Sequence, residues 1–188
     1  MSDHSYKEIA PYFSYWGKAG KEDERPTWHL LPYHNLDVAA VGWLLMEPQQ
    51  PLCQRLASQL KVNPGWLQSW FSFCLMLHDL GKFARAFQNL APDLSTELVP
   101  YRGECVYTLR HDSLGFLLWK YQLAKRLVRN GISDAIPEPW LEIVCGHHGQ
   151  PPKSAPKGWQ QHFMDQDELA AAAYVQDLLY WWCPDLTP

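Results

Sequence analysis

The sequence lacks the segments that would place it in a membrane or send it out of the cell. Its longest run without a charged or polar residue, 38–46, covers nine residues, whereas a membrane-spanning helix needs roughly 20. The N-terminus, residues 1–10, has no positive end followed by an apolar core, so no secretory signal is visible. We therefore expect no membrane segment and no membrane partner.

The sequence also lacks paired cysteines. Its five cysteines are odd in number and widely spaced, and none forms a C-x-x-C pair. This pattern argues against a disulfide framework and against a thiolate zinc site. It is typical of a protein in a reducing compartment, and we expect a cytoplasmic location.

An excess of positive charge is missing as well. The net charge is −4 and the isoelectric point is about 6.0, so the chain as a whole does not attract nucleic acid. If the substrate is a polyanion, local basic residues, bound metal or another domain must supply the attraction. Lys120, Lys125, Arg126 and Arg129 form a basic cluster, for which a solvated helix face is the favoured interpretation.

What the chain does contain is apolar material in helical patterns. Apolar residues make up 47% and aromatic residues 14% of 188 residues, enough for one domain, 1–188, with a well-filled core. No alternation of strand type extends over four or more residues, so we predict an all-α fold. The predicted helices are 32–48, 54–62, 64–80 capped by Asn63, 83–90, 110–130 closed by Gly131, 140–145, and 165–182 with a capping box of Asp165 and Glu168.

The third of these helices ends in two adjacent polar residues. His78 continues the core-facing stripe of Leu67, Phe71 and Cys74, and Asp79 follows it directly. Burying both is costly unless something satisfies them, and a divalent cation would do so. The structural alternative is that His78 bonds a backbone carbonyl while Asp79 caps a helix. For an isolated His-Asp pair that alternative is favoured, so the other histidines decide.

Four further histidines lie at or near predicted helix ends. If the apolar faces pack as a bundle, these ends can converge on one cavity. The candidate ligands are then His34, His78, Asp79, His111, His147 and His148. Such an imidazole-rich set suits Mn, Fe, Co, Ni or Zn better than Mg or Ca, with Mg kept as a further candidate, and it can hold one or two ions. By contrast, His4 and His162 are predicted to be exposed, and His29 to be a core or supporting histidine.

Local motifs resemble one family. They are W-H-L-L-P-Y-H-N-L-D-V-A-A-V at 28–41, L-H-D-L-G-K-F at 77–83, R-H-D-S-L-G at 110–115 and C-G-H-H-G at 145–149, with Y-W-G-K at 15–18 near the start. Together they resemble the HD nuclease domain of type I CRISPR-associated helicase-nucleases, within the HD metal-dependent phosphohydrolase superfamily. The likeness covers residues 13–176. The bare H…HD pattern is common to many hydrolases, whereas the longer motifs are more specific.

This resemblance implies an HD-domain helical bundle with the metal site between helix ends. It implies that Asp79 bridges two metals, that His34 and His78 hold one ion, and that the other three histidines hold the second. Lys82 would face the scissile phosphate, which makes Asp79 and Lys82 the catalytic residues. The implied activity is endo- or exonucleolytic degradation of single-stranded DNA in CRISPR interference. The implied partners are a helicase domain, in the same or a companion chain, and a guide-RNA surveillance complex.

The sequence departs from the family at one point. The family's final aspartate, in an A-D-W-L-G-S-like helix, has no counterpart, because Asp177 falls in a helix that precedes the expected one. We therefore expect a fragment that lacks the C-terminal end of the domain and the helicase, with the His34/His78 metal weakly held. Two other functions stay open: hydrolysis of nucleotides or cyclic dinucleotides by an HD phosphohydrolase, and a non-catalytic HD docking module.

Overall fold

The computed structural model describes residues 9–22, 25–129, 138–153 and 157–182. Within these residues the fold is helical, which confirms the predicted class. The helices are α1 (Leu31–Leu45), α2 (Pro51–Leu60), α3 (Pro64–Met76), α4 (Arg85–Gln88), α5 (His111–Leu118), α6 (Ala124–Arg129), α7 (Glu138–Cys145) and α8 (Asp165–Trp182). Short 3-10 helices cover Pro11–Ser14, Leu80–Phe83, Gly146–His148 and Trp159–His162. None of the described helices is both long and apolar enough to cross a bilayer.

One antiparallel hairpin precedes the helices, where no strand was predicted. Strand β1 (Trp16–Glu22) pairs with β2 (Arg25–Leu30), and the register shifts between Trp16 and Lys18. The segment WGKAGKE has no apolar alternation, so periodicity could not reveal it. Its ends are instead held by other elements. The Leu31 N–H donates to the Tyr15 carbonyl over 2.8 Å, and the Trp16 N–H donates to Gln88 Oε1 over 3.1 Å.

The helix starts follow local chemistry where the side chains are suitable. The Asn63 side chain accepts hydrogen bonds from the N–H groups of Gly65 and Trp66, with Pro64 in the first turn, as predicted for α3. The predicted helix 110–130 runs from α5 through a π-helical turn, Trp119–Leu123, into α6. Its predicted end at Gly131 lies outside the described residues.

The capping box predicted for α8 is wrong. Asp167, not the pair Asp165 and Glu168, receives the N–H of Met164 over 2.8 Å, and Met164 provides the first helical carbonyl. The physical reason is burial. Asp165 is exposed, whereas Asp167 is fully buried and binds the Arg85 guanidinium over 2.8 Å. The same carboxylate thus starts α8 and ties it to α4.

The main core lies between α3, α5 and α8, and it fixes where the helix ends meet. Its fully buried members include Phe73, Leu77, Leu114, Leu117 and Val175. A smaller cluster of Met46, Cys53, Ala57 and Leu67 joins α2 to α1 and α3.

A close backbone approach brings the turn after α3 against the start of α5. A Cβ atom on Gly81 would clash with the backbone carbonyl of His111, and one on Gly115 would lie 2.8 Å from the Gly81 nitrogen. Only glycine permits this packing. The consequence is that Asp79, two residues before Gly81, lies beside His111.

Candidate metal centre

Asp79 lies at the centre of the predicted ligands. It follows α3 in the turn before the 3-10 helix Leu80–Phe83, and only 2% of it is exposed. One carboxylate oxygen, Oδ2, lies 3.1 Å from His34 Nε2, 3.0 Å from His78 Nε2 and 2.7 Å from Lys82 Nζ. His34 comes from the first turn of α1. This oxygen therefore faces one group of two imidazoles and a lysine.

The other oxygen of Asp79 faces a second group. Oδ1 lies 3.3 Å from His111 Nε2 and 3.7 Å from His147 Nε2. His148 Nε2 in turn lies 2.9 Å from His111 Nε2. His111 is the first residue of α5, and the other two histidines belong to the 3-10 helix after α7. The structure thus brings all six candidate ligands together, in two groups that could each hold an ion.

The backbone fixes which imidazole nitrogen faces inward. His78 Nδ1 donates to the Leu75 carbonyl over 2.6 Å, and His147 Nδ1 donates to the Val144 carbonyl over 3.1 Å. A carbonyl can only accept, so Nδ1 carries the proton and Nε2 of the neutral ring presents a lone pair. In both residues that lone pair faces an oxygen of Asp79. Two acceptors pointing at each other need a cation or a proton between them.

The pKa values favour a cation. Burial lowers the pKa of His111 to about 4, although the Asp79 carboxylate opposes the shift. Burial also lowers the pKa of His147. For Asp79 itself, burial acts to raise the pKa, but a hydrogen bond from the His34 ring and the charge of Lys82 hold it well below its usual range. At neutral pH the centre contains an ionised carboxylate among imidazoles of which at least two are neutral.

One buried atom remains unsatisfied in this arrangement. Asp79 Oδ1 is buried and makes no hydrogen bond within the described part of the chain. Buried carboxylate oxygens are nearly always bonded, so an orphan at this position needs an explanation. A divalent ion between Oδ1 and the second histidine group would provide one. The donor set therefore fits a metal on both sides of Asp79.

The structural alternative for the His78-Asp79 pair explains the contact of His78 but not that of Asp79. His78 does bond a backbone carbonyl, that of Leu75. Asp79, however, precedes the 3-10 helix Leu80–Phe83 without a capping hydrogen bond from its side chain. A buried aspartate with no capping role and one unpaired oxygen is poorly explained by structure alone.

Lys82 lies on the hairpin side of the centre. Its Nζ donates to the Gly17 carbonyl over 2.8 Å and contacts Asp79 Oδ2, and 12% of its side chain is exposed. The ammonium group also lies 5.5 Å from the centre of the Phe87 ring. Contacts with β1 and α4 therefore hold Lys82 close to the carboxylate, with a fraction of its surface open to solvent.

Among the described histidines outside the centre, His162 is not exposed as predicted, and His29 does not lie in the core. His162, predicted to be exposed, is 3% exposed; its Nδ1 donates to the Trp159 carbonyl and its Nε2 pairs with the Thr108 hydroxyl, each over 2.9 Å. Those partners come from distant or irregular segments, which sequence spacing does not show. His29 is partly exposed, 3.6 Å from Asp37, with its ring 6.3 Å from that of His34. His4 lies outside the described residues.

Sequence reasoning missed one residue that supports the centre. The Tyr107 hydroxyl accepts the N–H of His111 over 2.9 Å and lies 3.2 Å from its Nδ1. It therefore orients the ring from outside, as supporting residues of metal ligands do. The only available signal was its position four residues before His111. Asp177, by contrast, accepts the Tyr12 hydroxyl over 2.7 Å.

Comparisons with known proteins agree with this geometry. A family model described as "Cas3, HD domain" matches residues 16–185. The chain is 32% identical over 153 residues to the CRISPR-associated endonuclease/helicase Cas3 of Escherichia coli (strain K12), covering 72% of this chain and 17% of that protein. The chain thus spans less than a fifth of the length of this curated relative.

Solved structures show the same fold. The crystal structure of T. fusca Cas3-ATP matches with a TM-score of 0.63 and 21% identity, over 89% of this chain and 19% of that one. A CRISPR RNA-guided surveillance complex, pre-nicking, contains a chain that matches with a TM-score of 0.64 and 22% identity, over 89% of this chain and 21% of that one. With the fold shared and the family model covering most of the sequence, the chain belongs to the Cas3 HD domain family.

Proposed function

We propose that this chain is a metal-dependent nuclease domain that hydrolyses phosphodiester bonds of single-stranded DNA in CRISPR interference. The observation that carries the proposal is the division of Asp79, with one oxygen toward His34 and His78 and the other toward His111 and His147. A carboxylate between two imidazole groups can hold two ions side by side, and two adjacent ions can bind both the attacking and the leaving oxygen of a phosphodiester. Family membership supports it independently.

The residues have separate tasks in this proposal. His34 and His78 would hold one ion, His111, His147 and His148 would hold the other, and Asp79 would contribute a ligand to each. Bound divalent ions supply Lewis-acid stabilisation of the phosphate oxygens and a water molecule of lowered pKa. Candidate ions are Mn, Fe, Co, Ni and Zn, with Mg in addition.

Lys82 contributes a point charge. Its ammonium group would stabilise the negative charge that develops on a phosphate oxygen during hydrolysis. The Gly17 carbonyl, which accepts from Nζ over 2.8 Å, holds the ammonium group at this side of the centre. The catalytic residues are therefore Asp79 and Lys82.

The proposal includes partners. We propose a helicase domain, in the same or a companion chain, and recruitment by a guide-RNA surveillance complex in the cytoplasm. The matched E. coli protein is named an endonuclease/helicase, and this chain spans 17% of it. A net charge of −4 supports delivery of DNA by a basic partner. The four free, buried cysteines among the described residues suit a reducing compartment.

The test is a metal-by-metal cleavage assay on circular single-stranded DNA. We expect cleavage with at least one of the transition metals, none with EDTA, and loss of activity in His78→Ala. Because circular DNA has no ends, linear products establish endonucleolytic cutting. Equal background cleavage by wild type and His78→Ala would instead support a non-catalytic docking module.

Substrate class is tested in the same assay with mononucleotides and cyclic dinucleotides. We expect the single-stranded DNA to be cleaved and these small substrates to remain. Hydrolysis of the small substrates with untouched DNA would refute the nuclease proposal in favour of a nucleotide phosphohydrolase.

A further inference from the structure

An apolar pocket of about 390 Å³ opens beside the metal centre, between α1, α3 and α7. Its volume lies within the range of about 300–1,000 Å³ that is usual for small-molecule sites. The side chains that matter here are Val38, Phe71, Leu75, Trp140, Ile143 and the two histidines 78 and 147. Its lining joins two buried residues of the main core, Trp70 and Cys74, to Ile143, which is 70% exposed, so the pocket reaches from the core to the surface.

The pocket and the metal centre share a wall. The rings of His78 and His147 line the pocket, and they meet edge to face with their centroids 5.1 Å apart. The Nε2 atoms of the same rings lie 3.0 and 3.7 Å from the two oxygens of Asp79. Only the rings of His78 and His147 therefore lie between a ligand in the pocket and a phosphate at Asp79.

Resting on the proposed nuclease function, we propose that this pocket holds one unpaired nucleobase of the strand whose phosphate lies at Asp79. A base is a flat, largely apolar ring that stacks on aromatic side chains, and Phe71 and Trp140 offer such surfaces. The pocket lining is hydrocarbon and aromatic except for the Cys74 thiol and ring nitrogens. It has few groups to read base edges, so we expect little sequence preference.

A nucleobase in this pocket explains why the substrate should be single-stranded. A base inserted into a pocket between helices is withdrawn from its complementary base. In a duplex that costs a few kcal/mol of unstacking and unpairing per base. A single strand has no unpairing cost, so withdrawing a base from it is easier. The pocket thus makes strand selection a property of this domain, additional to whatever a helicase partner delivers.

The test compares two linear 5′-labelled oligonucleotides of the same length, one with ordinary thymidines and one with abasic residues throughout its central part. Stacking contributes about 1–3 kcal/mol per base, which converts to a rate ratio of roughly 5 to 150. We expect wild type to cleave the thymidine region faster than the abasic region by a factor in this range.

A variant that fills the pocket provides the second arm. Ile143 is 70% exposed and lies in the pocket lining, so Ile143→Trp can occupy the space without disturbing the core. We expect it to slow cleavage of the thymidine region to the rate of the abasic region and to leave the abasic rate unchanged. The matched control is Val41→Trp, at a 59% exposed position of α1 outside the pocket lining, which should retain the wild-type ratio.

The outcomes separate this inference from the function on which it rests. Equal rates on both oligonucleotides in wild type, or an equal loss on both in Ile143→Trp, would overturn the base pocket while the nuclease proposal stands. No cleavage of either oligonucleotide with any metal would overturn the nuclease proposal and the pocket with it.

Discussion

Two buried aspartates in this molecule have opposite surroundings. Asp167 is fully buried, and each of its oxygens has two donors: Oδ1 accepts from the Tyr15 hydroxyl over 2.7 Å and from Arg85 over 2.8 Å, while Oδ2 accepts the N–H groups of Arg85 over 3.1 Å and Met164 over 2.8 Å. Asp79 is 2% exposed, yet its Oδ1 has no hydrogen bond within the described chain. Both oxygens of Asp167 thus have hydrogen-bond donors, whereas one oxygen of Asp79 has none in the described chain.

The difference distinguishes a structural carboxylate from a ligand. A buried carboxylate with four donors and a guanidinium partner is satisfied by the protein alone. A buried carboxylate oxygen that faces an imidazole lone pair, as Asp79 Oδ1 faces that of His147, is satisfied only when something positive is added. Burial and residue type are the same in both cases, so the identity of the neighbours carries the functional information. The following changes test that distinction.

The largest effect is expected for Asp79→Asn. The amide keeps the size of the side chain but loses the charge between the two histidine groups, so metal-dependent cleavage should fall by about 10³-fold. Addition of Mn²⁺ to wild type should raise the thermal midpoint, because the ion binds only the folded state. That rise should vanish in the variant. A rise of wild-type size would refute the role of Asp79 as a ligand.

Asp167→Asn should act on stability. It leaves the Arg85 guanidinium, 1% exposed, without its charge partner, which costs about 3–5 kcal/mol of unfolding free energy. Urea unfolding in EDTA measures this loss. The control is Asp165→Asn on the exposed side of the same helix, where we expect a change within about 0.5 kcal/mol. The Mn²⁺-induced rise in thermal midpoint should persist in Asp167→Asn, in contrast to Asp79→Asn.

Lys82→Gln should lower the cleavage rate by about 10²-fold, as removal of one transition-state donor does. Metal affinity should not weaken, because Lys82 competes with a cation for Asp79 Oδ2, 2.7 Å away. Titration of Mn²⁺ against the cleavage rate separates the two quantities. Lys125→Gln, an exposed lysine in α6, is the control. A loss of rate that excess metal restores would make Lys82 a supporting residue for the ion.

The smallest effect is expected for His148→Ala. This histidine is exposed and lies at the outer edge of the second group, so metal affinity should fall only about 10-fold. His162→Ala is the matched comparison, because that ring is buried and bonded to Thr108 and Trp159. It should cost about 1–3 kcal/mol of stability and leave metal affinity unchanged. If His148→Ala lowered stability and His162→Ala lowered metal affinity, His148 would be the structural histidine and His162 the metal ligand.

The sequence was informative where the structure is local. Apolar periodicity placed the helices, Asn63 and Pro64 marked the start of α3, and positions near helix ends selected the residues that come together around Asp79. The motifs supplied the family, which a pattern of histidines alone would not have done.

The sequence did not reveal which polar residues would be buried against partners far away in the chain. Asp167 pairs with Arg85 across 82 positions, and His162 pairs with Thr108 across 54. Burial of such residues is decided by tertiary packing, which spacing does not encode. Strands β1 and β2 were missed because they have no alternating apolar pattern; their contacts with Leu31 and Gln88 are not visible in the sequence.

The close contact between Gly81 and the backbone of α5 fixes how near Asp79 lies to His111 in the metal centre. Neither Gly81 nor its counterpart Gly115 has a side chain that could bind an ion, yet their close packing brings His111 Nε2 to 3.3 Å from Asp79 Oδ1. The distance between Asp79 and His111 therefore depends on two glycines that have no chemical role of their own. A side chain at either position would push the two ligands apart.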